Sequence, residues 1–483
     1  MRKKTLSALL CTVAAMAVLT GCGGDKKETA AAPAEGNTTA AVTEAAKTEA
    51  ETTAAVQTEA GGEKNLVMPS ASCVANLNPL LEGYKEAAML NPIYDPLYVI
   101  DVNETRYYLA DSYEVSEDGM QITVKLKEGL KWHDGEAITA DDMIFTMDVC
   151  SDTNNGAGGT NIVILNDQPV KYEKVDDLTV KVTLPMASAS YADLLGGLTL
   201  IPEHVFEGNP SVVSAGEANM KGIGSGPYKV TEFKQDEYLL LEKYEDYYMG
   251  APSIDKVTFR IISDLSAQEV ALMNGEVNFM ELANAPAVAK YEADPNFTVV
   301  KYPEGRVNYL AVNKFCETVQ DPKVVEAVFA ALNRDEIIAG AYGDGMAESA
   351  NSIFSNVNTF YDSSVEGYTQ DVEKAKQLVK ETGLDSKTLT LYFNSERVYM
   401  KESAQIIQQQ LKNVGINLEV IPLESAGFFE KVFGTDGDYE FYLNGYGAVG
   451  DPDQVVAGMY DGTWGVNLAV SDEVSQLWKD ART

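Results

Sequence analysis

Residues 388–443 read TLTLYFNSERVYMKESAQIIQQQLKNVGINLEVIPLESAGFFEKVFGTDGDYEFYL, and the fold is decided there. The stretch predicts a strand over 388–393, a helix over about 399–414 stopped by Gly415, and a strand over 416–421. A helix over about 425–432 and a strand over 439–443 follow. Strand-helix-strand-helix-strand is the pattern of a parallel, doubly wound sheet with right-handed crossovers. Ligands of such sheets sit beyond the carboxyl ends of the strands. Those ends here are Asn394-Ser395-Glu396-Arg397 and Asn444-Gly445-Tyr446-Gly447. Arg397 is a fixed fork of donors suited to a carboxylate, and the alternative is a solvated charge at a helix start. Tyr399 and Tyr446 offer flat, amphipathic surfaces.

Upstream of this run the same α/β character continues. Asp321-Pro322 predicts a capped helix carrying Val324, Val325, Val328, Phe329 and Leu332 at three-to-four spacing. Asp371 opens another, closed by Gly383. The first half is different. Ile122, Val124 and Leu126 alternate with Thr123, Lys125 and Lys127, and Leu178, Val180, Val182 and Leu184 repeat the pattern, so half-buried strands are expected. Further strands are expected at Leu66–Met68, Tyr238–Leu241 and Val257–Ile262. Thr139-Ala140-Asp141-Asp142 has the form of a capping box ahead of Ile144 and Met147. Another helix is expected from Ser266 to about Asn274, stopped by Gly275. The first half therefore reads as mixed α+β with much antiparallel sheet, and a boundary is expected near residues 300–308. A body of about 420 residues also exceeds what one core supports, so two lobes are expected.

The amino terminus addresses the chain. Arg2, Lys3 and Lys4 precede an apolar run from Leu6 to Leu19, too short for a comfortable membrane span, which is the layout of an export signal. The run ends in Leu19-Thr20-Gly21-Cys22, which resembles the lipobox of bacterial lipoproteins, with the Cys22 thiol as lipid acceptor. Residues 1–21 are thus expected to be a lipoprotein signal peptide. Residues 22–64, rich in Ala, Thr, Glu and Gly and without an aromatic, are expected to form a disordered tether. Such a chain has a root-mean-square span of roughly 35 Å. The lobes are expected at 65–304 and 305–483.

Composition excludes several functions. A formal charge of −36 repels phosphate backbones, so nucleic acid is a poor partner. Cys11 leaves with the signal, Cys22 is the lipid acceptor, and Cys73, Cys150 and Cys316 lack metal-like spacing or a disulfide framework. With two histidines, His133 and His204, a His-rich metal site is not built. His133-Asp134-Gly135-Glu136 reads as a turn before the capped helix rather than as a metal site. No Gly-Lys-Ser/Thr phosphate loop and no Gly-x-Ser-x-Gly elbow occurs, and Ser253-Ile254-Asp255-Lys256 lacks the companion motifs of a Ser-x-x-Lys enzyme. No catalytic residue, cofactor or metal is expected.

An ordered set of motifs carries a family resemblance. Leu109-Ala110-Asp111-Ser112-Tyr113-Glu114-Val115-Ser116-Glu117-Asp118-Gly119 leads through Leu126-Lys127-Glu128-Gly129 to Trp132-His133-Asp134-Gly135-Glu136. Ile201-Pro202-Glu203-His204, Gly224-Ser225-Gly226-Pro227-Tyr228, Asn274-Gly275-Glu276-Val277-Asn278, Asn313 and Ala331-Leu332-Asn333-Arg334-Asp335 continue it, from about residue 66 almost to the end. Together they resemble the family 5 extracellular solute-binding proteins of peptide and nickel importers. The resemblance implies an α/β, two-lobed periplasmic-binding-protein-like clamp with an extra subdomain on the first lobe. It implies a ligand in the cleft, closure by hinge motion, and docking on the permease and ATPase of an ABC importer.

In dipeptide-binding relatives an Arg-x-Tyr segment grips the ligand carboxylate, and Arg397-Val398-Tyr399 matches it. Relatives also carry Gly-Trp, an amine-binding Asp, then Asp-Pro. Here Gly445-Tyr446-Gly447-Ala448-Val449-Gly450-Asp451-Pro452 has Tyr446 for the Trp and lacks the acid near Val449, leaving Asp451 as its substitute. Relatives continue beyond the position of Thr483 and return to the first lobe. The expected substrate-binding set is Arg397, Tyr399, Asn444, Tyr446, Asp451 and Asn313. The expected function is capture of peptides or similar solutes by a lipid-anchored protein on the extracytoplasmic face of the cell envelope. An envelope hydrolase and a purely structural surface lipoprotein are the rival readings. Ligand-dependent stabilisation without turnover separates the three.

Overall fold

The computed structural model describes residues 63–81, 88–100, 104–282, 284–358, 360–447 and 471–481. Three four-stranded sheets organise them. In the first, Asn65–Ser70 pairs parallel with Lys256–Ile261, and Tyr238–Lys243 and Tyr228–Lys234 add on antiparallel. Strands far apart in the chain are thus neighbours, and the buried residues from Leu97 to Val212 belong to an excursion away from this sheet. Its core gathers Val74, Leu77, Ile93, Leu239, Leu241, Val257 and Phe259.

The excursion builds its own core. Ala110–Val115, Gln121–Leu126, Thr179–Thr183 and Lys171–Asp176 form an antiparallel sheet in that order. Alternation places Ile122, Val124, Leu126, Val180 and Val182 in the interior. The helix Ala140–Ser151 packs with it, and both halves of the expected capping box are made: Thr139 accepts from Asp141 N–H and Asp142 accepts from Thr139 N–H at 2.9 Å. Trp132, Met143, Met147, Tyr191 and Leu195 complete this separate core.

Gly224 lies in the segment that links the two cores. A Cβ there would stand 1.9 Å from the Ile93 carbonyl oxygen, so only glycine lets the backbones approach. Gly226 N–H then donates to Ile93 O at 2.8 Å and His133 N–H to Gly224 O at 3.0 Å. The Gly-Ser-Gly-Pro-Tyr motif is therefore a packing device.

The third sheet occupies the second half, in the order Val307–Val312, Phe441–Tyr446, Thr388–Asn394, Asn417–Leu423. The last three are parallel, as expected, with the helices Val398–Asn413 and Ser425–Val432 as crossovers. A fourth strand, Val307–Val312, which the sequence pattern does not announce, joins the sheet antiparallel beside Phe441–Tyr446. Both faces are covered. Leu389, Leu391, Phe393, Phe441 and Leu443 pack with Val324, Val328, Ala404, Ile407 and Leu411 on one side. Phe428 and Val432 cover Ala311, Tyr439 and Tyr442 on the other. Full burial of a side chain such as Phe428 contributes roughly 1.5–3 kcal/mol.

Two boundaries move for local reasons. The helix expected from Ser266 is Leu265–Met273, because Asp264 is the cap and accepts from Ala267 N–H at 2.8 Å. The last strand runs to Tyr446, because its partner at Val307 extends the ladder. By contrast, Val372–Thr382 is bounded by Asp371 and Gly383 as expected.

Candidate binding site at the carboxyl edge of the second sheet

The parallel strands end together at Asn394, Leu423 and Tyr446, and the antiparallel strand starts beside them at Val307. Short polar side chains stitch this edge. Ser395 N–H donates to Leu423 O at 2.8 Å, and Asn394 Nδ2 donates to Ser425 Oγ at 2.9 Å. The Glu396 carboxylate accepts from Ser425 N–H at 3.1 Å and from Ser425 Oγ–H at 2.7 Å. That leaves Arg397 at the start of the helix Val398–Asn413, held by its N–H to Asn394 O at 3.2 Å. Its guanidinium donates from Nη1 to the Tyr399 hydroxyl at 3.0 Å. The positive helix end and the guanidinium both favour an anion here.

Tyr399 stacks on Tyr342, with ring centroids 5.3 Å apart and planes inclined by 28°. Burial pushes the Tyr342 hydroxyl up to about 12, so it stays neutral at ordinary pH. Arg306 lies on the same edge: Nε donates to Asn308 Oδ1 at 3.1 Å and Nη2 donates to Gly445 O at 2.7 Å. The sequence reading missed Arg306, Asn308 and Tyr342. The signal for Arg306 and Asn308 was the strand Val307–Val312, whose start reaches this edge only because it runs antiparallel, whereas Tyr342 caps the carboxyl end of the helix Arg334–Ala341.

Asn444 and Tyr446 also belong to the edge but are committed to the protein. Asn444, 8% exposed, lies opposite Tyr309, whose hydroxyl is pushed up by burial. Tyr446 tilts against Tyr309 at 5.7 Å and its hydroxyl donates to Ile353 O. Asn313 is not brought to this edge. It follows the other end of Val307–Val312, fully buried, and its Nδ2 donates to Asp436 O at 2.8 Å and Tyr439 O at 2.9 Å. Its Oδ1 accepts from Phe315 N–H at 3.0 Å, so the side chain is occupied in fixing a turn. Asp451 and Cys22 lie outside the described residues.

The histidines serve the first half. His133 Nδ1 accepts from Gly224 N–H at 3.2 Å and Nε2 pairs with Gly226 O at 2.9 Å, while His204 pairs with Asp134 at 2.8 Å. A recess of about 540 Å³ near the first sheet is lined by opposite charges that pair with one another, Lys229 with Glu242 and Lys243 with Asp255. Among the described residues no helix is long and apolar enough to cross a membrane.

Known proteins share this architecture. Residues 104–467 match bacterial extracellular solute-binding proteins, family 5 Middle. The dipeptide-binding protein of Escherichia coli is 28% identical over 82% of this chain and 78% of its own. AppA of Clostridium difficile is 34% identical, with a TM-score of 0.78 over 87% of both chains. The oligopeptide-binding protein AppA of Bacillus subtilis, solved with a nonapeptide, is 26% identical with a TM-score of 0.69 over 87% of both. The fold is accordingly the mixed α/β, two-lobed periplasmic-binding-protein fold of these neighbours. The chain belongs to the bacterial extracellular solute-binding proteins of family 5.

Proposed function

We propose that this protein captures peptides, without chemistry of its own, and delivers them to the permease and ATPase of an ABC importer. One observation carries the reading: the Arg397 guanidinium stands beyond the carboxyl end of a parallel strand, oriented by Tyr399, with no carboxylate bonded to it among the described residues. A peptide's terminal carboxylate supplies the missing partner. The names of the relatives, dipeptide-binding and oligopeptide-binding, support the same ligand class. Lobes at 65–304 and 305–483, hinged near 300–308, accord with the change of sheet between Ile261 and Val307. Ligand-dependent melting in a peptide mixture, with chromatography of the recovered peptides, tests capture. A raised melting point with intact peptides is expected; cleaved peptides would make it a hydrolase, and no shift would leave a structural lipoprotein.

The proposal includes a lipid anchor at Cys22, supported by Leu19-Thr20-Gly21-Cys22 and the aromatic-free stretch that follows. A Cys22→Ala variant is expected to lose its lipid while keeping its ligand affinity. Mass spectrometry that finds unmodified Cys22 in the mature wild type refutes the anchor.

A further inference from the structure

Arg306 has more donors than the protein uses. Two of the five N–H groups of a guanidinium are engaged, by Asn308 Oδ1 and Gly445 O, and the others make no bond among the described residues. No carboxylate neutralises it there, although the chain carries 73 acidic residues against 37 lysines and arginines. Arg106 and Arg260 show the usual arrangement, pairing with Glu104 at 3.3 Å and Glu276 at 3.1 Å. Arg334 has no bonded carboxylate among the described residues but binds Ala350 O at 2.8 Å and Asn351 Oδ1 at 2.9 Å, at the opposite end of the helix Arg334–Ala341 from Tyr342. Among the described residues, Arg306 and Arg397 are the two arginines at the carboxyl edge without a bonded carboxylate.

A half-buried cation loses hydration, and its natural compensation is an anion. Among the described residues nothing bonded to Arg306 supplies one, Asn308 being neutral and Gly445 offering only its carbonyl, and the neighbouring Tyr342 stays protonated. We infer that Arg306 is a second anion receptor, so that the favoured ligands are peptides carrying an acidic side chain near the carboxyl end. The inference rests on the peptide reading above. Arg397 takes the terminal carboxylate and Arg306 the side-chain carboxylate. From Arg397 the edge runs 3.0 Å to the Tyr399 hydroxyl and 5.3 Å between the stacked rings to Tyr342, which Arg306 adjoins. Two or three residues of extended peptide cover roughly 7–11 Å, a distance of the same order. The bland alternative is that Arg306 only clips Val307–Val312 to Phe441–Tyr446, which would affect stability but not ligand choice.

The test uses the full chain, freed of ligand, and an equimolar mixture of pentapeptide pairs. Members of a pair differ only by Glu or Gln at one of the last four positions, and captured peptides are counted by mass spectrometry. Wild type is expected to favour Glu over Gln by about tenfold or more at one position, the scale of one charge-assisted hydrogen bond. Arg306→Gln is expected to bring that ratio close to one, with Arg306→Lys between. Capture without a Glu preference in wild type overturns the inference and leaves the peptide reading standing, whether or not the variants fold. A preference that survives in folded Arg306→Gln overturns it too. Capture of no peptide at all overturns the peptide reading, and this inference with it.

Discussion

The Arg397 guanidinium donates to the hydroxyl of Tyr399, two residues further along the chain, at 3.0 Å. Tyr399 is in turn fixed by its stacking on Tyr342. A long, flexible side chain is thereby held in one orientation before any ligand arrives, which reduces the ordering entropy that binding would otherwise cost.

Losing the grip itself should be severe. Arg397→Ala is expected to weaken peptide binding by roughly 2–5 kcal/mol, the range for truncating one partner of a buried charged pair. At about 1.4 kcal/mol per decade this is some thirty-fold or more. Tyr399→Phe keeps the ring and removes the orienting hydroxyl, so a loss of about 1 kcal/mol is expected. Calorimetry on both variants checks the order; equal losses would mean that Tyr399 binds ligand directly.

The ligand's polarity follows from the same edge. Amidating the carboxyl end of a bound peptide should cost about as much as Arg397→Ala, because both remove one charge-assisted pair. Gly447-Ala448-Val449-Gly450 offers no acid for the amino end. Acetylating the amino end should therefore cost little. An acetylated peptide that fails while the amide binds unchanged would make Asp451 the anchor and Arg397 a surface charge.

Gly445 is a steric requirement. A Cβ there would lie 2.2 Å from Asn308 Oδ1 and 2.9 Å from Val307 O. Gly445→Ala should lower unfolding stability by about 1–3 kcal/mol, the usual cost of overpacking. Adding Asn308→Ala removes the nearer clash and should restore part of the loss. Urea midpoints of the single and double variants decide, and an additive double variant would contradict the packing.

His133 sets a pH dependence. Burial lowers its pKa, and Nδ1 must stay unprotonated to accept from Gly224 N–H. An unfolded histidine titrates near about 6.5. The stability from this group is therefore full above that value and is lost as pH falls through about 6.5 toward the depressed folded pKa. Urea unfolding of wild type and His133→Gln between pH 7.5 and about 5 should show wild type losing more on acidification. Parallel pH profiles would refute the assignment.

Much of the fold was legible because it rests on local pattern. Ile122, Val124 and Leu126 alternate and are buried, Thr139 caps, and Asp371 and Gly383 bound their helix. What escaped depends on partners distant in sequence. Val307–Val312 carries no clean alternation, with Asn308 and Tyr309 in its midst, and its place comes from hydrogen bonds to Phe441–Tyr446. Arg306 went unnoticed for that reason. Asp264 displaced Ser266 as a cap because both residue types cap well and nothing local ranks them. Asn313 entered the expected site by resemblance, and only its bonds to Asp436 and Tyr439 show that it serves a turn. Arg397 and Tyr399 could be read early because the carboxyl end of a parallel strand follows from strand–helix alternation alone.

The most direct measurement is native mass spectrometry of the full chain purified without denaturation, followed by sequencing of whatever denaturation releases. Peptides with free carboxyl ends, bound about one per chain and unaltered after prolonged incubation with the protein, are the predicted result. Release of a metal complex, a non-peptide solute or peptide fragments that accumulate with time would contradict the account.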